Sequence, residues 1–464
     1  MKLWSISLRN LRIRLVATVL TTTSIVVATA LYAAILVMAE QTQQRYTGAY
    51  SAQLAIIGPK DASQLEIVLN TIFNVGEAPA LFPLKVAIDL RTGREFGHRG
   101  QIRYAIPQAR GDSVSRHAFP VIATLDEMFA KFEWHQKPLE FAAGHGFSFS
   151  FEELVQLAEG MAAHESARRA GEAAPPPRPQ LLPEWKQCVI GSRVARTLGL
   201  GLGGTITPVH GKFGEFGSHE HPEAACEIVG ILAPTNSPLD TTIFLPLGVH
   251  LLIGGHEGGV FVTPLVPGKN PDEVKKLPVQ ADQIGLTAIV IDPKDPVGDQ
   301  ILRNAFMRRP DGQVAKPREV IPKFLREIGN AADVLTVIAW LVLLVASVSI
   351  TVAIYNTMNE RRREIAIMRS LGARRHQILA IITGEAALLS CFGAVVGVTV
   401  CHVAAFLLRE TVEDMTGVYL EWLQFAWWEL WLVLGVTTIG ACAGLLPAVK
   451  GSMTQVADNL AHSY

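Results

Sequence analysis

Residues 15–39 and 334–358 are two 25-residue runs without a charged side chain, and they constrain the fold more than any other feature of the chain. Wound as helices at about 1.5 Å per residue, each would reach roughly 37 Å, enough to cross a hydrocarbon core of about 30 Å with some tilt. Two further apolar runs follow at 377–408 and 430–449; the first of these carries only Glu385 as a charge and the second none. Trp422, Trp427, Trp428 and Trp431 gather where the last run begins, as an interfacial aromatic belt does. Residues 40–330 contain no stretch able to span a bilayer and are numerous enough to bury a core of their own. The expectation is an α-helical membrane protein with four transmembrane helices and a large α/β domain between the first and second.

The arginines predict the orientation. Lys2, Arg9, Arg12 and Arg14 precede the first span, and Arg361, Arg362, Arg363, Arg369, Arg374 and Arg375 crowd the loop 359–376 against only Glu360 and Glu364. The loop 409–429 carries Glu410, Glu413, Asp414 and Glu421 and lacks that basic excess. The positive-inside rule therefore puts residues 1–14, 359–376 and 450–464 in the cytoplasm and 40–330 outside. The first apolar run is longer than the roughly 7–15 residues of a signal-peptide core, which favours an uncleaved anchor. A net charge of −1, with no basic patch interleaved with aromatics, argues against a nucleic-acid partner.

Within the basic loop, Ile365, Met368 and Leu371 recur at near-helical spacing, so a short amphipathic helix is predicted with arginines on its other side. Gly372 reads as its stop, and a new helix begins beyond Ala373. Taken alone, such a loop is a solvated face that sets topology.

The wording of the run NERRREIAIMRSLGARRHQILAIITGEAALLS, with Arg-Arg-Glu-Ile-Ala, Met-Arg-Ser-Leu-Gly-Ala and a Glu in the next span, adds to this. It resembles the FtsX-like permease domain of the MacB and LolC/LolE class of ABC transporter subunits, here covering 331–464. That resemblance implies a bacterial inner-membrane, multi-pass permease whose residues 40–330 form a MacB-like periplasmic core domain. It also implies that Arg361, Arg362, Arg363, Glu364, Ile365, Met368, Arg369, Leu371, Gly372, Arg374 and Arg375 form an ATPase-coupling loop. Nowhere does a Gly-x-x-x-x-Gly-Lys-Ser/Thr occur, so ATP and Mg²⁺ are expected on a separate cytoplasmic ATPase and the chain itself is expected not to be an enzyme. MacB carries its ATPase in the same chain; this protein looks like the split, permease-only arrangement. Pairing as a homodimer or with a second permease, and contact with a periplasmic adaptor or substrate-binding partner, are implied in the same way.

In the α/β domain, 188–206 reads strand, helix, glycine-rich turn and strand, and 227–247 reads as two strands around a Pro- and Asn-bearing turn. Both resemble the external domain of MacB-type permeases. Residues 151–170 read as a helix and 173–182 as a proline-rich linker, so 150–184 is expected as an insertion. Cys188 and Cys226 could pair in an oxidising compartment, although spacing cannot establish it. His210, His219 and His221 lie among Glu215, Glu220 and Glu223, a set able to hold Zn²⁺ or Cu²⁺ or to form a plain polar hairpin tip. No HExxH accompanies His164 or His256, which argues against a zincin protease. Glu385, shallow in the third span, reads as a packing carboxylate or as part of an ion path.

The reading is a permease that couples ATP hydrolysis on a partner to motion of its external domain, for export or extraction of a substrate. The alternatives are an FtsX-like regulator of an external hydrolase and a membrane-anchored metal-binding or sensing protein.

Overall fold

The computed structural model describes residues 15–46, 54–76, 80–93, 101–114, 119–134, 137–210, 219–235, 237–253, 260–262, 277–360, 362–416 and 421–452. The chain divides into two compact units, one of Met1–Gln44 with Leu325–Tyr464 and the other of Arg45–Phe324.

The Arg45–Phe324 unit is built on a mixed sheet whose strands run, edge to edge, Gln313–Ala315, Ala55–Gly58, Ala288–Pro293, Ile102–Val114, Phe119–Thr124, Ile243–Pro246, Gln187–Ile190, Cys226–Leu232 and Phe141–Gly144, with Thr205–Ile206 also pairing with Cys226–Leu232. The 13-residue strand Ile102–Val114 joins the two halves: Ile102 to Gln108 pair with Pro293 to Ala288, and Ala109 to Val114 pair with Ala123 to Phe119. Among the described residues two pairings are parallel, Ile243–Pro246 with Phe119–Thr124 and Cys226–Leu232 with Gln187–Ile190. The strand Ala288–Pro293 is buried throughout; its first four residues are apolar without alternation, and its buried Asp292 is paired with Arg103 at 3.1 Å.

Helices cover this sheet and their starts are written locally. Ser63 accepts from the Glu66 amide while the Glu66 carboxylate accepts from Ser63 N–H, a capping box that fixes Gln64–Phe73. Ser150 and Glu153 repeat the device at Phe151–Ala170, and Gly171 closes that helix at φ +72°. Within the segment 150–184, the helix Phe151–Ala170 is packed into the domain, while most of 171–184 is exposed. Leu154, Leu157, Ala158 and Met161 are buried, Glu153 accepts from the Trp185 indole at 3.2 Å, and Ser166 both donates to and accepts from the Val279 backbone. Glu165 is clamped by Arg168 and Arg169 at 2.7 Å each.

The other unit contains four helices long and apolar enough to cross a membrane: Leu15–Tyr46, Pro317–Glu360, Arg375–Thr416 and Trp427–Ser452, the first turns of Pro317–Glu360 belonging to the α/β unit. Arg375–Thr416 is the hub. A Cβ on its Gly393 would sit 2.8 Å from Ile25, and one on Gly397 would sit 2.7 Å from Thr29, so the first helix approaches nearly to backbone contact. On the fourth helix, Gly440 and Gly444 lie against Ser390 and Ala386 in the same manner. Two small-xxx-small stripes thus let helices close up where no hydrophobic effect drives them together. A cavity of about 300 Å³ opens among the first, second and fourth helices, with Tyr32, Trp340, Trp428 and Trp431 in its wall.

Candidate functional site

The basic loop folds as a short helix, Arg362–Ser370, between the second and third membrane helices. Its end is fully specified by the backbone. Gly372 N–H donates to Arg369 O at 3.1 Å and Ala373 N–H to Met368 O at 3.0 Å, the paired bonds of a Schellman turn. Gly372 has φ +98°, which only glycine adopts without strain. The next helix starts at once: the Gln377 side chain reaches back to accept from Arg374 N–H at 2.9 Å.

The structure divides the apolar face that the sequence assigns to this helix. Ile365, only 4 % exposed, is part of the membrane unit's own core with Ile354, Met358, Ile378 and Ile382, and Met368 packs against the same cluster. Leu371, by contrast, is 83 % exposed and Ile367 43 %. Leu371 lies one residue past the last helical position with its N–H still bonded to Ile367 O at 3.0 Å, and six residues on from Ile365 it falls about 120° round the helix from that buried position. Met368 is therefore an anchor within the chain and not a free docking residue. The exposed tip is Ile367, Ser370, Leu371, Gly372, Arg374 and Arg375, with Arg369 half-buried. Arg361 and the side chains of Arg362, Arg363 and Glu364 lie outside the described residues.

Glu385 is buried in the third helix, two turns before Gly393. The histidine-rich segment begins and ends as a small hairpin, Val209–His210 with His219–Glu220, in which His210 and His219 are directly opposed in register. Residues 211–218 and the side chains of His210, His219 and Glu220 fall outside the described residues. His221 is buried, and its Nδ1 meets Glu223 Oε1 at 2.9 Å. Among the described residues, no group of three or more His, Cys, Asp or Glu side chains stands close enough to hold a metal ion.

Cys188 and Cys226 are both buried as free thiols, and burial pushes the Cys226 thiol up to about 12. Cys188 pairs in register with Ile228, two residues along from Cys226. With a rise of about 3.3 Å per residue and a strand spacing of about 4.8 Å, the two Cα atoms stand roughly 8 Å apart. That is beyond the approximately 7 Å a disulfide can bridge without backbone movement.

At the other end of the bundle lies a polar constellation that hydropathy alone does not reveal. His402 Nδ1 stands 2.6 Å from Trp422 O and Nε2 stands 3.1 Å from Glu429 Oε2, with both residues buried. The Trp428 indole donates to Glu40 at 2.7 Å, and Gln41 exchanges two bonds with the Glu421 backbone. The available signal was Glu429 itself, a carboxylate two residues into the fourth helix, where it accepts from Ala426 N–H at 3.2 Å.

Four helices long and apolar enough to cross a membrane, with a large α/β unit inserted in sequence after the first, have the make-up of a multi-pass membrane protein. Residues 336–455 match the FtsX-like permease C-terminal family. The chain is 34 % identical over 142 residues to MJ1507 of Methanocaldococcus jannaschii, described as an uncharacterized ABC transporter permease; the match covers 28 % of this chain and 35 % of that one. It is 32 % identical over 131 residues to YknZ of Bacillus subtilis, also described as an uncharacterized ABC transporter permease, covering 27 % and 31 %. Residues 336–455 thus match an FtsX-like permease domain, and the chain is similar to ABC transporter permeases. It spans about a third of the length of these curated relatives.

Proposed function

We propose that this protein is the permease subunit of an ABC transporter, that ATP and Mg²⁺ bind a separate cytoplasmic ATPase, and that the tip 367–375 receives the motion of that ATPase. The observation that carries this reading is the division of labour in the short helix. Ile365 and Met368 are rooted in the core of the membrane helices, while Leu371, Arg374 and Arg375 stand exposed at its end. A helix tethered only by solvated charge would not transmit displacement. One whose inner face is packed at interior density moves with the second and third helices as a body. On the exposed side, Ile367 and Leu371 offer apolar anchors and the arginines offer rim charges, the composition of a small interface hot spot.

The arginine asymmetry supports placing this tip in the cytoplasm and the α/β domain on the extracytoplasmic side of a bacterial inner membrane. Nucleotide-driven motion then passes to that domain, which moves or releases a substrate, with two permease chains acting as a pair on two ATPases.

A photo-crosslinking amino acid at Leu371 tests the assignment. It should capture the ATPase in cells, whereas the same probe at Ile354, inside the cluster, should not. Equal capture from both positions, or from neither while the complex is intact, would remove the tip as the contact.

A further inference from the structure

The hydrogen bonds around His402 specify a proton count. Trp422 O is a backbone carbonyl and can only accept, so His402 Nδ1 must carry a hydrogen to make its 2.6 Å contact. The remaining 3.1 Å contact, from Nε2 to Glu429 Oε2, then needs one more hydrogen, on the ring or on the carboxyl. Without it, a bare nitrogen lone pair would face a carboxylate oxygen in a buried site, with no donor between them. Glu429 Oε1 is already engaged as the acceptor for Ala426 N–H, so the carboxyl cannot turn away without abandoning that bond.

We infer that His402 and Glu429 form a proton-binding site that holds one shared proton, and that this proton latches the segment 421–429 across the end of the helix bundle. The segment so held is the one that grips the first helix. Its Glu421 backbone binds Gln41, and its Trp428 binds Glu40. The Phe425 ring lies on the His402 ring with centroids 4.5 Å apart, and Trp422 packs on Phe406 at 4.9 Å. Loss of the proton to water sets the Glu429 carboxylate against the neutral ring, opens the 402–429 contact and frees the grip on Glu40 and Gln41. Gain of a second proton leaves a donor between the two groups, so the latch opens only as pH rises.

Other titratable and charged groups surround the pair. Cys401 precedes His402 on the third helix and lies in the field of Glu429. Glu40 faces it from the first helix through Trp428, Glu421 lies in the latched segment, and Arg409 stands over the Phe406 ring at 4.8 Å. Of these, Glu40 accepts from the Trp428 indole N–H whether its carboxyl is protonated or ionised, so this bond is kept as pH rises and does not duplicate the switch.

The test uses the full chain in lipid nanodiscs. Nitrogen-15 spectra of labelled histidine, with His402→Gln identifying the His402 signals, report both ring nitrogens, and the infrared carboxylic-acid stretch absent from Glu429→Gln reports Glu429. Hydrogen exchange of the 421–429 amides, corrected for intrinsic rates, reports the latch. The expected result is one proton in the pair while the segment is protected. As pH rises, that proton and the protection should be lost together, with exchange accelerating roughly ten- to hundred-fold, as for losing a hydrogen bond to a charged group. In Glu429→Gln the side-chain amide can donate to Nε2 and still accept from Ala426, so protection should persist to high pH. A bare His402 nitrogen beside an ionised Glu429 with the segment still protected would overturn the inference. So would Glu429→Gln exchanging with the same pH dependence as the unmodified protein. Should that variant not fold, titration of the unmodified chain decides the question alone.

Discussion

Replacing Gly440 by alanine tests the packing that holds the membrane unit together. An added Cβ would fall 2.5 Å from Ser390 Cβ, and closer still to Ser390 Oγ. The hydroxyl can rotate away, but Ser390 Cβ is fixed to its backbone, so the two helices must separate by several tenths of an ångström. Overpacking of this kind costs about 1–3 kcal/mol, and the rigidity of both partners places Gly440→Ala near the upper end, about 2–3 kcal/mol. At roughly 2–4 °C per kcal/mol for a chain section of this size, the thermal midpoint in nanodiscs should fall by about 4–12 °C. The reciprocal change provides the control. Gly440→Ala with Ser390→Gly moves the methyl-sized volume from one helix to the other and should recover most of the loss. Ser390→Ala alone should be near neutral, because Ser390 Oγ is buried without a hydrogen-bond partner among the described residues. Thermal unfolding of the four proteins in the same lipid decides it. A Gly440→Ala protein as stable as the parent, or a double variant no better than the single one, would refute the close contact.

Gly372→Ala should cost about 1–2 kcal/mol from its positive φ alone, since a Cβ there meets nothing within 4 Å; loss of coupling with normal membrane insertion is the expected readout. Glu165→Gln should lower the stability of the protein by about 2 kcal/mol, read by thermal unfolding of the full chain. Hydrogen bonds from Arg168, joined by Arg169 and opposed by burial, hold the Glu165 carboxyl below its ordinary range. Its contribution is therefore complete above the normal carboxylate range and vanishes as pH falls through the lowered value, so the stability difference between parent and variant should shrink in acid. For orientation, cysteine placed at exposed Ser370 should label only after permeabilisation, while cysteine at exposed Ala173 should label from outside.

Much of the fold was legible because its signals are local. The four candidate spans declare themselves by apolarity that Glu385 alone interrupts, and the Ser63–Glu66 capping box marks the helix that follows it. The strand–helix–turn–strand reading of 188–206 matches Gln187–Ile190, Ser192–Leu198 and Thr205–Ile206, with Gly199 and Gly203 supplying the positive φ of the turn. The short run 85–90 has too few residues for its period to separate helix from strand, and it is the helix Lys85–Thr92. The packing of the helix Phe151–Ala170 into the domain was not legible either, since its Ala- and Glu-rich composition predicts a helix but not what covers it. At the candidate site, composition located the basic loop but could not assign its faces. Leu371 continues the helical spacing of Ile365 and Met368 on paper, yet each step of three residues drifts about 60° round the helix, and Leu371 has left the buried side. The pairing of His402 with Glu429 brings together residues 27 apart on different helices, and no periodicity reports that.

The central claim is that an ATPase engages the exposed tip and not the buried face of the same short helix. Its most direct measurement is ATPase binding and ATP turnover of complexes reconstituted with Leu371→Asp and, separately, Ile365→Ala. Leu371→Asp, at an 83 % exposed position, should leave the thermal midpoint of the permease unchanged while the ATPase fails to co-purify. Ile365→Ala removes a buried side chain and should destabilise the permease by about 2–4 kcal/mol, with the ATPase still bound to whatever remains folded. A Leu371→Asp protein that binds the ATPase and couples its turnover normally would contradict the account.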